Sequence, residues 1–261
     1  MRIAIPPNLS SSESLPLWPP VLAVRGPGAR TSLHAHHALH IVLATEGMLR
    51  IRTSVRTPWC ALPGIVSAAD VMHEIDACGV DTLLVFLDPE SGAGASLSAD
   101  VDGPYRGIDA RERDLLVRSA PSPNAIMGPD GDTWSTLAVA TLSKGSRPPP
   151  RRVHPRVRRL LSLLHTGTCG EAKHKNNLEE LAALVHLSPG RLMHAFSESI
   201  GIPLRPYLAW LRLQRACAGV AGGEPLARVA ADTGFSDAAH MSRTFRTMLG
   251  APPSALRSAT R

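Results

Sequence analysis

Four histidines in the first third of the chain have types and spacing that could do chemistry. They are His34, His36 and His40, in the run HAHHALHIVLATEG (34–47), and His73. A neutral imidazole nitrogen is a favoured ligand for zinc and for its first-row neighbours. Residues two apart on a strand share a face, so His34 and His36 are expected to point the same way, with His40 joining them on an unbroken strand. His73 is expected on a later strand, after the Pro63-Gly64 turn. Three uses compete for the set. It could be a hydrogen-bonded group at the mouth or core of a barrel, a metal-free pocket for a small effector, or a site for a divalent metal such as Zn²⁺. These four residues are therefore both the candidate effector site and the candidate metal site. Cys60 and Cys78 fall in the same region and offer a soft ligand, an oxidisable thiol, or simply small buried apolar side chains.

A second set of candidates lies in the C-terminal part, where two helix-turn-helix patterns follow one another. The first is LEELAALVHLSPGRLMHAFSESIG (178–201) and the second is PLARVAADTGFSDAAHMSRTFRTMLG (225–250). The second helix of such a unit must keep one apolar face on its core and leave the other for the DNA groove. Leu192, Phe196 and Ile200 repeat at four-residue spacing and take the core face, which leaves Gly190, Arg191, Met193, His194 and Ser197 outward. In the second unit Met241, Phe245 and Leu249 repeat that spacing. Ser236, Ala238, Ala239, His240, Ser242, Arg243 and Arg246 then fall toward the groove. Arginine can make a bidentate pair with guanine, and alanine can meet a thymine methyl. An arginine here can equally hold a phosphate, which positions the protein without reading sequence.

The elements that must position these residues divide at SKGSRPPPRRVHP (143–155), where consecutive prolines favour an extended spacer. The expected organisation is an effector-sensing and dimerisation domain over 1–143, a Pro/Arg-rich linker over 144–155 and a DNA-binding domain over 156–261. Before the linker, short β-type runs at 21–25, 39–45, 48–53, 65–68, 71–76 and 82–88 suggest a sandwich or barrel. Glu46-Gly47 is a candidate hairpin turn. Runs at 111–120 and 132–143 read as helices, whose apolar residues could cover the barrel or meet a second subunit. After the linker the pattern is helical. Val157, Leu160, Leu161 and Leu164 share a face, Asn177 and Ser188 are cap candidates, and Ser236 is expected to cap the last long helix. The run 203–220 reads as a connecting helix with both prolines in its first turn.

Charge follows the same division. Residues 1–144 hold 11 Lys and Arg against 15 Asp and Glu, whereas 145–261 hold 17 against 7, giving −4 and +10 of the total +6. A basic half joined to an acidic one suits double-stranded DNA as a partner. The four cysteines, Cys60, Cys78, Cys169 and Cys217, form no CxxC pair and suit neither a zinc finger nor a disulfide framework. No apolar run reaches the length of a membrane span, and the N-terminus lacks an apolar run long enough for a signal peptide, so a cytoplasmic chain is expected.

The C-terminal patterns resemble the AraC/XylS family of bacterial transcription regulators. The resemblance rests on 155–257, and above all on VAADTGFSDAAHMSRTFRTMLGAPPSALR with Ala230, Gly234, Phe235, Phe245, Gly250 and Pro253. It implies an α+β chain: a cupin-like β-barrel followed by helices, then an all-α seven-helix DNA-binding domain contacting two adjacent major grooves. Gly190, Arg191, Met193 and His194 would lie near one groove, and Ala238, Ala239, His240 and Arg243 near the other. The N-terminal H-x-H pattern is similar to that of the cupins, with His40 near the acidic ligand position of metal cupins. A regulator controlled by a small-molecule or metal effector is expected, with RNA polymerase as a further partner, a homodimer as a candidate state, and no enzymatic activity. The alternatives are a metal-dependent cupin enzyme fused to a DNA-binding domain, and a DNA-binding protein independent of any ligand.

Overall fold

A computed structural model of the chain describes residues 22–122, 126, 129–144, 152–165 and 177–258. The prolines of the expected linker, Pro148 to Pro150, and Cys169 lie outside the described residues. The N-terminal part is built from β1 (Leu22–Pro27), β2 (Leu39–Ala44), β3 (Leu49–Arg52), β4 (Cys60–Leu62), β5 (Gly64–Ser67), β6 (Glu74–Asp76), β7 (Asp81–Leu87) and β8 (Tyr105–Ile108). Three helices join them: α1 (Gly92–Ser98), α2 (Ala110–Ser119) and α3 (Pro129–Leu142). The strands form a five-stranded sheet, ordered β1-β7-β2-β5-β8, and a three-stranded sheet, ordered β4-β3-β6. The expected closed barrel is thus two separate sheets among the described residues. The Glu46-Gly47 step is not a hairpin between paired strands. β2 pairs with β5 and β7, and β3 with β4 and β6, so this turn carries the chain from one sheet to the other.

Side-chain alternation explains why the larger sheet is covered on both faces. Ala23, Leu39, Ile41, Leu43, Val66, Leu83, Val85 and Leu87 face one way and pack against Leu97 of α1, Leu116 of α2 and Trp134, Ala138, Val139 and Leu142 of α3. The capping box of Asp109 and Glu112 fixes the start of α2, and the Trp134 indole N–H donates to the Leu116 carbonyl at 2.9 Å. Both helices therefore cover their own sheet, although Leu115 and Leu137 stay exposed. On the opposite face Val42 and Ile65 meet Leu49, Ile51 and Ile75 of the small sheet. That small sheet does not reach β1 and β7, where Val24, Leu84 and Phe86 are covered by helices from the C-terminal part.

Those helices are α4 (Pro155–His165), α5 (Leu178–Leu184), α6 (Pro189–Ile200), α7 (Leu204–Ala221), α8 (Leu226–Asp232), α9 (Ala238–Leu249) and α10 (Pro253–Ser258). Their boundaries follow local chemistry. Asn177 caps α5, and Ser188 caps α6 with Pro189 in the first turn. Gly201 and Gly250 end α6 and α9 in the left-handed region, where side-chain-bearing residues are strained. The cap of α9 differs from expectation. Asp237 accepts from the His240 N–H at 2.6 Å, while the Ser236 hydroxyl donates sideways to the Asp237 carboxylate. A carboxylate beside the positive end of a helix is the stronger of the two adjacent caps.

The helix α7 is the spine of this half. Its 18 residues span about 27 Å at 1.5 Å per residue. Leu204, Tyr207, Leu208 and Leu211 join the core of the first unit, with Leu160, Leu164, Leu181, Leu192 and Phe196. Trp210, Leu213, Ala216, Cys217 and Val220 join a second core with Val229, Phe235, Met241 and Phe245. That second core is continuous with Val24, Ala38 and Phe86 of the N-terminal part. The second helix-turn-helix unit therefore shares its core with the sheet, while the first keeps its own.

Candidate functional site

By burial, α6 and α9 each divide into a core side and an outer side. In α6, Leu192, Phe196 and Ile200 are buried, Gly190, Arg191, Met193 and His194 are exposed, and Ser197 is half-buried. In α9, Met241 and Phe245 are buried, whereas Ala239, Arg243 and Arg246 are exposed. Ala238, His240 and Ser242 are half-buried, and Ser236 is exposed just before the helix. His240 is held locally, with Nδ1 3.0 Å from the Ser236 hydroxyl and its ring against Phe235. The Ser242 hydroxyl donates to the Ala238 carbonyl at 2.7 Å. Arg243 and Arg246 are the exposed arginines of this face, and Arg243 lies near enough to Asp237 to help the His240 N–H hold that carboxyl below its usual range.

The four histidines also converge, but not as one strand face. His34 and His73 form an isolated antiparallel bridge, with N···O distances of 3.0 and 2.8 Å, outside the named strands. The chain bends after His36, and only His40 lies in β2. Folding of this loop still brings the rings together. Centroids of His34 and His73 are 4.4 Å apart, those of His36 and His73 5.0 Å, and those of His36 and His40 5.3 Å. All four residues are buried. Burial pulls each imidazole below its ordinary range, His73 to about 4 and His36 and His40 well down, so the cluster is neutral at pH 7.

The cluster sits where the two halves meet. The His36 ring stacks on Trp210 of α7 at 5.4 Å, and His40 stacks on Phe86 at 4.3 Å. Phe86 in turn meets Trp210 edge-on at 5.5 Å. At the other side, the Gly250 carbonyl at the end of α9 accepts from the Ser32 N–H at 2.9 Å, two residues before His34. The histidine loop therefore touches both α7 and the end of α9. Periodicity did not reveal this. The available signal was α7 itself, whose buried residues include Tyr207, Leu208, Trp210, Leu211, Leu213 and Gln214 and so extend well beyond one amphipathic stripe.

A polar group beside the cluster was also missed. His37 lies between Asp70, at 2.7 Å from Nδ1, and Glu90, at 3.1 Å from Nε2. Burial opposes its charge, but the two carboxylates outweigh burial and raise it to about 9, so it is a fixed cation and not a metal ligand. Asp88 is buried nearby. Burial and then Glu90 push it up to about 7, against the pull of Trp210, His37 and Gln214. The unfolded chain releases this proton near pH 4 and the folded chain near pH 7, so Asp88 lowers stability progressively across that window as pH rises. Asp88→Asn is expected to gain about 1–3 kcal/mol over the parent at pH 8 and little at pH 4.5. Melting curves of both proteins over this range test it, and a gap that does not widen with pH refutes it.

With sheet and paired helix-turn-helix units in place, the C-terminal architecture is that of a DNA-binding domain. Residues 181–259 match the family described as "Helix-turn-helix domain". The C-terminal part of the chain therefore carries a helix-turn-helix domain. The chain shares its fold with ToxT from Vibrio cholerae O395, at 12% identity and a TM-score of 0.55, over 92% of this chain and 97% of that one. ToxT bound to (E)-4-(8-methylnaphthalen-1-yl)but-3-enoic acid matches at 11% identity and a TM-score of 0.57, over 92% and 99% of the two chains. Wild-type ToxT of Vibrio cholerae strain SCE256 bound to an unsaturated fatty acid matches at 9% identity and 0.53, over 97% and 98%. Among the described residues, no helix is long and apolar enough to cross a membrane.

Proposed function

We propose that the chain is a sequence-specific, DNA-binding transcription regulator whose N-terminal part senses an effector at the histidine cluster. The carrying observation is the pair of recognition helices, each with its apolar side buried and its polar side exposed, tied by one buried helix. Gly190, Arg191, Met193, His194 and Ser197 are assigned to one major groove. Ser236, Ala238, Ala239, His240, Ser242, Arg243 and Arg246 are assigned to the next. Few of these side chains offer strong base-edge partners, so DNA shape carries part of the specificity. The structures of ToxT with bound acids support control by a small ligand on this fold, and the position of His34, His36, His40 and His73 between the two halves supports them as its site. Double-stranded DNA is the macromolecular partner, with RNA polymerase beside it on the promoter.

The test is selection of duplex sites by the full chain from random DNA, followed by affinity measurements at several salt concentrations. An enriched site bound at least 1,000-fold tighter than random DNA is expected. No enrichment overturns the reading. Arg243→Ala is expected to weaken the selected site by about 1–3 kcal/mol and to relax one base position. A uniform loss over all sequences, with a shallower salt dependence, reassigns Arg243 to a phosphate.

A further inference from the structure

We propose that His34, His36 and His73, with His40 beside them, form a zinc-type divalent metal site, and that the bound ion fastens the second helix-turn-helix unit to the N-terminal part. The regulatory half of this inference rests on the function proposed above; the metal site does not.

The geometry is the first argument. One nitrogen from each of His34, His36 and His73 lies within 4.8 Å of the others. A tetrahedral ion with Zn–N bonds of about 2.0–2.1 Å holds its ligand nitrogens roughly 3.3 Å apart, so imidazole movements of about 1 Å close the site. The orientation of the rings is the second. Nδ1 of His34 is 2.8 Å from the Ser32 carbonyl and Nδ1 of His73 is 2.9 Å from the Val71 carbonyl. A carbonyl only accepts, so both Nδ1 atoms carry the proton and both Nε2 atoms present a lone pair. A ring anchored through one nitrogen to a backbone oxygen, with the other nitrogen available, is the usual arrangement around ligating histidines.

The unmet hydrogen-bonding capacity is the third argument. Both ring nitrogens of His40 and Nε2 of His73 are buried without a hydrogen-bond partner, and the hydrogen-bonding groups that reach the His36 ring are backbone ones. A purely structural cluster would carry about 1–3 kcal/mol for each such atom. A cation shared among them removes most of that cost at once. The donor set also selects the ion. Among the described residues this group contains imidazoles and no carboxylate, which suits Zn²⁺, Co²⁺ or Ni²⁺ and disfavours Ca²⁺ and Mg²⁺.

The ligands themselves carry the consequence for the C-terminal part. A side chain added at Gly250 would come 2.6 Å from Nδ1 of His34, so the end of α9 lies directly on the first ligand. The second ligand, His36, stacks on Trp210 of α7. Drawing these two rings inward changes the two surfaces on which α7 and α9 rest. Without the ion, the neutral rings repack and the second unit is released more readily.

The experiment uses the full chain stripped with a chelator and titrated with Co²⁺ and then Zn²⁺. One Co²⁺ per chain is expected, with the visible absorption bands of a four-coordinate nitrogen site, displaced stoichiometrically by Zn²⁺. His73→Ala and His34→Ala should each lose the bands and at least 10- to 100-fold in affinity. His186→Ala, at an exposed turn, should lose neither. The metal-free variants are compared with the metal-free parent by circular dichroism, and His73→Asn replaces His73→Ala if the latter is unfolded. Absence of stoichiometric binding by the parent, or equal binding by folded variants, overturns the site. Affinity for the selected duplex is then measured with and without Zn²⁺, and a change of at least fivefold in the parent, lost in His73→Asn, is expected. Metal binding with unchanged DNA affinity overturns the fastening role alone. Arg243-dependent DNA binding that persists without any metal site leaves the proposed function standing.

Discussion

Trp210→Ala is expected to remove about 3–5 kcal/mol of stability and to split a single unfolding transition into two. The indole is completely buried and is among the largest fully buried side chains of the described residues. It contacts the His36 ring, the Phe86 ring of β7 and the core of the second helix-turn-helix unit. Its loss therefore does more than leave a hole in one core, because the hole lies where the sheet and the helices share theirs. The first unit keeps Leu192, Phe196 and Tyr207, and the sheet keeps its packing against α1, α2 and α3. Both remnants have their own apolar cores and should melt separately. Trp210→Phe should keep one transition and lose about half as much, since most of the apolar contact survives. Calorimetry of the three proteins decides the matter. A single transition in Trp210→Ala, lowered by less than 1 kcal/mol, means that the junction does not bind the halves together.

How far this junction was legible in the sequence depends on the element. The recognition helices were readable because their four-residue spacing, Leu192-Phe196-Ile200 and Met241-Phe245-Leu249, records burial against one neighbour. The spine α7 is buried against two, so its apolar residues spread around the helix and periodicity ceases to point anywhere. β2 has the same difficulty: all six residues are buried, and a continuous apolar run does not say which face meets helices and which meets the other sheet. β4 and β8 were not anticipated, since three or four residues with a glycine or an exposed cysteine carry little alternation. The histidines were recognisable by type and spacing. Their convergence was not derivable from a strand period, because the backbone leaves the strand between His36 and His40. His37 stands in the same run without being singled out by type or spacing, and only Asp70 and Glu90, distant in sequence, separate its role from that of its neighbours.

Gly250→Ala is expected to destabilise the chain by about 2–4 kcal/mol, against about 1 kcal/mol for Gly223→Ala. Both glycines have positive φ, 67° and 81°, so both substitutions force an alanine into the left-handed region. Their surroundings differ. Nothing lies within 4 Å of the position a Cβ would take at Gly223. At Gly250 that atom would come 2.6 Å from the Ser32 carbonyl oxygen, 2.6 Å from His34 Nδ1 and 2.8 Å from Thr31 Cβ. Two of these neighbours are backbone or β-carbon atoms and cannot swing aside, so the segment 31–34 or the end of α9 must move. The movement also strains the bond from the Ser32 N–H to the Gly250 carbonyl. The core of the second unit is set by Met241 and Phe245, both buried and well inside α9, so that unit should remain folded while its docking weakens. Amide exchange should therefore quicken at Ser32 and His34 in Gly250→Ala, and stay unchanged within α9. Equal losses for the two glycines, with unchanged exchange at Ser32, mean that the contact between the recognition helix and the histidine loop carries no weight. A larger loss at Gly250 confined to docking identifies that contact as the link between the histidine loop and α9.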